Sequence, residues 1–236
     1  MHVPDGFLDA TTSTGTAVVA AAGVALALRG ARRELDERTA PMAGLTAAFV
    51  FAVQMMNFPV AFGTSGHLMG GALTAILVGP WTAVLCLTVV LMVQALVFAD
   101  GGLTALGTNV TLIGLVAIAV GYGVFRALRA VLPATRTGLL ASAGVGAFLS
   151  VPVAALVFVL LFGLGGVADV ALGSVGIAMV GVHLLIGLGE AVITVAVLGA
   201  VLRVRPDLVR GARHLQRASA LAPRPGLTGA TVVDAR

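Results

Sequence analysis

The sequence predicts an all-α integral membrane protein, a bundle of about seven transmembrane helices. Hydrophobic residues make up 59% of its 236 residues and charged residues only 10%, which is more apolar surface than a soluble domain of this length can bury. The apolar runs are long and lack the period-2 alternation of a membrane β-barrel. The 31 glycines fit a helical bundle, because small residues let helices approach closely in lipid.

The basic residues set the predicted orientation. All of them are arginines, and they fall in three clusters, at 29–38, at 126–136 and from 203 onward. The positive-inside rule places each cluster on the cytoplasmic side of the plasma membrane. We therefore expect the N-terminus outside and the C-terminus in the cytoplasm. The isoelectric point near 10.9 is therefore explained by membrane orientation. We expect membrane lipid as a partner and no nucleic acid.

The helices follow from the apolar runs and the turns between them. We expect them at about 12–29, 42–58, 67–79, 82–98, 109–130, 137–162 and 174–202. The third helix would span only about 20 Å of the membrane core, which is about 30 Å thick. We therefore expect it to be part of a helical hairpin that enters the membrane only partway. Residues 1–205 form the predicted transmembrane domain, and 206–236 a basic cytoplasmic tail without order. The first ten residues lack the basic region of a cleavable signal peptide.

Two histidines, one glutamate and the single cysteine are first interpreted one by one. Cys86 stands alone, so neither a disulfide nor a cysteine metal cluster is expected. His214 lies among arginines and is expected to be solvated. His183 and Glu190 are two turns apart on the last helix and are functional candidates as intramembrane ionisable groups. We favour a buried polar pair that fixes this helix to a neighbour, at a depth far from His67.

The N-terminus itself can chelate a metal ion. The Met1 amine, with a pKa of about 7.7–8, closes a five-membered ring with the amide nitrogen of His2, and that amide closes a six-membered ring with Nδ1 of His2. The fourth corner of the plane stays open for an imidazole, and His67 is the candidate. Four planar nitrogens suit Ni(II), Cu(II) and, less firmly, Co(II), but not tetrahedral Zn(II). The alternative is that His2 has no role in metal binding.

Four segments, MHVPDGF, GTSGHLMGGALTAILVGPW, ADGGLTALGTNV and IGLGEAVIT, together resemble the substrate-binding membrane (S) component of cobalt and nickel energy-coupling-factor transporters of the CbiM/NikM type. The resemblance covers most of residues 1–205. It implies a six-helix core with an extra N-terminal helix, and a planar metal site made by Met1, His2 and His67. No catalytic residue is implied, and supporting or structural roles at most are expected for Asp5, Ser65, Asn109 and Glu190.

The resemblance also implies partners and a task. The partners are a transmembrane coupling subunit, a pair of cytoplasmic ATPases and a small accessory membrane subunit. The task is import of nickel or cobalt, with cobalamin biosynthesis as a use for cobalt, and no permanent cofactor. The chain is not expected to be an enzyme, because it has no phosphate-binding loop for ATP.

Several alternatives stay open. A stand-alone metal channel or carrier would need ionisable residues through the membrane, and an intramembrane metalloenzyme would need a cluster such as HExxH. The residue pattern does not choose between nickel and cobalt. Two stripes of small residues could dock the coupling subunit or pack inside the bundle: Ala17, Ala21 and Ala25 in one helix, and Gly44, Ala48 and Ala52 in the next.

Overall fold

The computed structural model describes residues 2–37, 39–60 and 64–213. The predictions for Met1, for His214 and for most of the tail fall outside these residues. Within the described part the chain forms seven helices, which confirms the predicted bundle. They are α1 Ala10–Ala31, α2 Thr39–Gln54, α3 Gly71–Val78, α4 Pro80–Val97, α5 Leu106–Val131, α6 Arg136–Gly165 and α7 Leu172–Val204.

Five of these helices, α1, α4, α5, α6 and α7, are long and apolar enough to cross a membrane. Large apolar side chains remain exposed along them, for example Val18 at 64%, Ile177 at 80% and Val192 at 68%. Such surfaces are stable against lipid and would be costly in water. The chain is therefore a multi-pass membrane protein.

The segment between α2 and α3 differs from the prediction. Helix α2 ends at Gln54 rather than near 58, and α3 begins at Gly71 rather than 67 and has 8 residues. Between them, strands β1 (Phe58–Pro59) and β2 (Ser65–Gly66) pair antiparallel. Every residue of α3 is buried, which is how non-spanning backbone is tolerated at membrane depth. The expectation that this helix is too short to cross is confirmed.

A glycine separates α3 from α4. Gly79 has a φ of +107°, and a Cβ there would lie 2.5 Å from Cδ of Glu34. The Glu34 carboxylate is buried and accepts a hydrogen bond of 2.7 Å from the backbone N–H of Thr82. A carboxylate at this position stabilises the positive N-terminal end of α4. Pro80 opens α4, where its missing N–H costs nothing.

The two ends of the bundle differ in charge. Arg210 donates a hydrogen bond of 3.1 Å to the carbonyl of Glu34, and one cavity is lined by Arg126, Arg129, Arg210 and Arg213. The three arginine clusters therefore meet at one end, where α1 finishes. The start of α1 and the N-terminal segment lie at the other end. The positive-inside rule assigns the arginine end to the cytoplasm, and this orientation stays a prediction.

Candidate metal site

Residues 2–9 form an N-terminal segment that is fixed across the end of the bundle. The backbone N–H of Asp9 donates to the carbonyl of Gly165 at 2.7 Å, and that of Val167 donates to the carbonyl of Phe7 at 3.1 Å. The Phe7 ring packs on Phe162, with 5.2 Å between centroids. The Asp9 carboxylate then caps α1 through the N–H of Thr12 at 2.7 Å.

Asn109 holds the residue that follows His2. Its Oδ1 accepts a hydrogen bond of 2.8 Å from the N–H of Val3, and its Nδ2 donates one of 3.2 Å to the Val3 carbonyl. Asn109 is 1% exposed and precedes the π-helical stretch Val110–Val116 of α5. π-Helical turns often occur at functional sites. Asn109 thus fixes Val3 to the start of α5.

The loop between α4 and α5 closes over the other side of the N-terminal segment. Gly102 donates to the Val3 carbonyl at 2.9 Å, and a Cβ on Gly102 would lie 2.4 Å from the backbone nitrogen of Asp5. The Asp5 carboxylate accepts hydrogen bonds from the hydroxyl and the N–H of Thr104, and these bonds lower the pKa of Asp5. Asp5 therefore fastens this loop and has a structural role.

The structure brings His2 and His67 together. Their rings stack with 4.2 Å between centroids and 29° between planes, and the two residues are 4% and 0% exposed. Nδ1 of His67 lies 2.8 Å from the carbonyl oxygen of Leu68. Because a carbonyl only accepts, the ring proton belongs on Nδ1 and the lone pair on Nε2. That Nε2 is buried and has no hydrogen-bond partner among the described residues.

Asp100 lies beside His2 and is not among the candidate residues that the sequence indicated. Its Oδ1 lies 3.0 Å from Nδ1 of His2, and its Oδ2 accepts a hydrogen bond of 2.9 Å from Asn57. The contact with His2 lacks hydrogen-bond alignment. Burial lowers the pKa of His2, although the Asp100 carboxylate opposes the shift. The imidazole is therefore neutral near pH 7, the form in which it binds metal ions.

Unpaired polar atoms concentrate around these rings. Within the described residues, Nε2 of His2, Nε2 of His67 and both amide atoms of Gln94 are buried without hydrogen-bond partners. Buried polar atoms are nearly always satisfied, so such a group indicates a missing binding partner. No three His, Cys, Asp or Glu side chains of residues 2–37, 39–60 and 64–213 are grouped to hold a metal ion. A complete site needs a further donor, and the Met1 amine stays a prediction.

Glu190 corrects the expected depth of helix α7. Its two carboxylate oxygens accept hydrogen bonds from the N–H of Met69 at 2.8 Å and of Gly70 at 2.7 Å. Glu190 therefore lies beside the end of the His67 segment, and the prediction that it is far from His67 is wrong. The apolar pattern predicted a helix over 67–79, whereas 67–70 is an irregular segment running alongside α7.

His183 and Glu190 are also not a bonded pair. Nδ1 of His183 lies 2.7 Å from the carbonyl of Met179 on its own helix, whereas Glu190 bonds to Met69 and Gly70 of the segment that carries His67. A Cβ at Gly66 would lie 3.6 Å from Cε1 of His183, so His183 packs beside the residue that precedes His67. Ser65 is half-buried in β2, on the same segment.

Comparisons with known proteins agree with this fold. A family model described as the cobalt uptake substrate-specific transmembrane region, CbiM, matches residues 2–208. A chain of Haloquadratum walsbyi named as a metal transport protein is 39% identical over 209 residues, covering 89% of this chain and 93% of the relative. A relative in Archaeoglobus fulgidus named as a fused nickel transport protein is 36% identical, covering 89% of this chain and 68% of the relative.

A solved structure has the same architecture. The crystal structure of a transition metal transporter superposes with a TM-score of 0.80 at 30% sequence identity, over 86% of this chain and 93% of that chain. These similar proteins are named for metal transport and not for catalysis. The fold, the family model and the relatives agree: this chain belongs to the CbiM family of membrane components for cobalt and nickel transport.

Proposed function

We propose that this chain is the substrate-binding S component of an energy-coupling-factor importer, and that it captures nickel or cobalt at its N-terminus. The observation that carries the proposal is the stacked pair of His2 and His67, whose ring centroids are 4.2 Å apart. The Nε2 atoms of both rings are buried and have no hydrogen-bond partner among the described residues. The captured ion is bound by the Met1 amine, the His2 amide and Nδ1, and Nε2 of His67.

The chemistry of these donors supports the assignment. Each of the three N-terminal nitrogens loses a proton or is already neutral when the metal binds. The chelate places them in one plane, and Nε2 of His67 supplies an imidazole lone pair for the fourth corner. Asn109 and Asp5 hold the segment in place before the ion arrives. Such preorganisation lowers the entropy lost on binding.

The surface supports a partner in the membrane. Both stripes of small residues are exposed on the surface of the bundle, although Ala17 also packs against Gly107 of α5. Small residues allow the close helix approach that membrane partners use. We propose that one stripe docks the transmembrane coupling subunit, whose ATPases supply the energy, with a small accessory membrane subunit completing the transporter. The exposed members are Ala17, Ala21 and Ala25 on α1, and Gly44, Ala48 and Ala52 on α2.

The alternative of a stand-alone channel or carrier predicts a different transport result. The chain is expressed in cells without nickel or cobalt import of their own, alone or with a coupling subunit and ATPases of the same transporter type. We expect uptake only with the partners, and loss of that uptake in a catalytically dead ATPase variant. Equal uptake by the chain alone would contradict the proposal.

The metal site is tested separately on the purified protein. His67→Ala removes the fourth planar donor, so nickel affinity should fall by at least about a hundredfold, equivalent to about 2.7 kcal/mol. Thr82→Val is the matched control, because Thr82 lies in the first turn of α4 and its buried hydroxyl has no hydrogen-bond partner among the described residues. The control should bind nickel as the wild type does. An unchanged affinity in His67→Ala would remove His67 from the site.

A further inference from the structure

His183 is buried in the middle of an apolar helix in a form that can bind a metal. It is 0% exposed, its Nδ1 lies 2.7 Å from the Met179 carbonyl, and its Nε2 has no hydrogen-bond partner among the described residues. The carbonyl fixes the ring proton on Nδ1 and leaves the lone pair on Nε2. Metal-binding histidines commonly donate their other ring N–H to a backbone carbonyl in this way.

His67 has the same arrangement. Its Nδ1 faces the Leu68 carbonyl at 2.8 Å, and its Nε2 is buried and unpaired within the described part of the chain. Two neutral imidazoles therefore present unsatisfied lone pairs from two different elements. A lone pair on a buried nitrogen is satisfied by a donor or by a metal ion.

Two contacts place these histidines at the same level of the bundle. The Cβ of a residue at position 66 would lie 3.6 Å from Cε1 of His183 and 2.6 Å from Cδ1 of Ile186. Gly66 thus lets α7 approach the strand that leads into His67. Further along the same segment, Met69 and Gly70 bind Glu190. The segment 66–70 therefore runs beside α7 from His183 to Glu190.

We propose that His67 and His183 form a second metal-binding station, which receives the ion from the N-terminal chelate. The inference rests on the proposed function of that chelate. No three His, Cys, Asp or Glu side chains of the described residues converge on one point, so His2, His67 and His183 do not share one side-chain site. Instead, His67 stays bound while His2 is exchanged for His183.

Transfer of the ion to the second station replaces three of its bonds to the N-terminal segment with one bond to His183. The bonds from the ion to the Met1 amine, to the His2 amide nitrogen and to Nδ1 of His2 break, and near pH 7 the amide nitrogen and the Met1 amine each take up a proton from the solvent. The bond to His67 remains, a bond to Nε2 of His183 forms, and water completes the coordination shell. Two imidazoles bind more weakly than a chelate of four nitrogens. The second station therefore suits release of the ion toward the transport path.

The test measures nickel affinity of the purified full chain in two backgrounds. In the wild type the chelate dominates, so His183→Ala should weaken binding by no more than about threefold. In His2→Ala the chelate is broken and the second station remains, so adding His183→Ala should weaken the residual binding by at least about tenfold. His183→Gln keeps the size of the side chain and should reproduce both results if alanine impairs folding.

Thr194→Val is the control, because the Thr194 hydroxyl is buried on the same helix and has no hydrogen-bond partner within the described part of the chain. It should change affinity in neither background. If His2→Ala shows no residual nickel binding, the second station does not exist. The proposal is also wrong if the His183 variants lower nickel affinity by the same factor in both backgrounds. Failure of the chelate itself appears differently, as His2→Ala binding nickel as tightly as the wild type.

Discussion

Oδ1 of Asp100 lies 3.0 Å from Nδ1 of His2, the nitrogen that the planar chelate assigns to the metal ion. This carboxylate therefore lies beside a nitrogen that we propose as a metal ligand. Asn57 holds the other carboxylate oxygen at 2.9 Å, so Asp100 links the segment after α2 to the N-terminal segment. A bound cation would take the place of this contact and keep Asp100 as a nearby negative charge.

Asp100→Asn should therefore weaken nickel binding. The substitution preserves shape and removes one negative charge beside a divalent ion, and we expect a loss of about tenfold, or about 1.4 kcal/mol. Asp169→Asn is the control, since Asp169 is exposed near the same end of the bundle. Titration calorimetry at low and moderate salt measures both variants. An effect of equal size in both would mean that only general surface charge matters.

Asn109→Ala should release the N-terminal segment. It leaves the buried N–H of Val3 without its hydrogen-bond acceptor, which costs about 1–3 kcal/mol, while the Val3 carbonyl keeps the hydrogen bond from Gly102. Hydrogen exchange at residues 3–8 should accelerate, and nickel affinity should fall. Thr16→Val removes a buried hydrogen bond of 2.7 Å to Thr108 instead and should leave residues 3–8 protected. Unchanged exchange in Asn109→Ala would show that Asn109 does not hold the segment.

Glu190→Gln should destabilise the segment that carries His67. A carboxylate accepts from both Met69 and Gly70, whereas an amide offers one acceptor and turns an N–H group toward a second donor. We expect a lower melting temperature and weaker nickel binding, because the segment 66–70 loses its anchor on α7. Glu190→Asp retains the charge and should recover part of the stability. A melting temperature equal to that of the wild type would contradict the anchoring role.

Metal binding should release protons in a number that identifies the donors. The Met1 amine is largely protonated at pH 7, with a pKa of about 7.7–8, and the His2 amide carries its proton until the metal binds. Burial lowers the pKa of His2, so its imidazole contributes few protons. We expect about two protons per nickel ion near pH 7 and an affinity that rises with pH. Calorimetry in buffers of different ionisation enthalpy counts these protons.

A site built from imidazoles alone would give another result. Neutral imidazoles release almost no protons at pH 7, so a count near zero would contradict the chelate. The planar site also predicts weaker binding of Zn(II) than of Ni(II), because zinc prefers a tetrahedral arrangement.

The sequence predicted the architecture well because the main signals are long and local. The apolar runs and arginine clusters located α1 and α4 to α7 to within a few residues. It also paired His2 with His67, although the two are distant in the chain, and the structure places their rings 4.2 Å apart. That success depended on the chelate chemistry of the N-terminus and on the family resemblance, since the residues around one histidine do not by themselves indicate that it meets the other.

The errors came from tertiary structure that local patterns do not encode. The apolar stretch from 67 looked helical, but Gly70, with a φ of +73°, ends an irregular segment before α3 begins. This misplaced Glu190 relative to His67. The role of Asp100 was missed because it depends on Gly101, with a φ of +89°, turning the loop toward His2. Both features are set by backbone turns between elements.

The affinity of nickel for the N-terminus tests the central claim most directly. The full chain is compared with a variant that carries two extra residues before Met1, both with their purification tag at the C-terminus. Because the extension converts the amine into an amide, the account predicts a loss of affinity of at least about a hundredfold with an unchanged melting temperature in the absence of metal. Equal nickel affinities for the two proteins would contradict it.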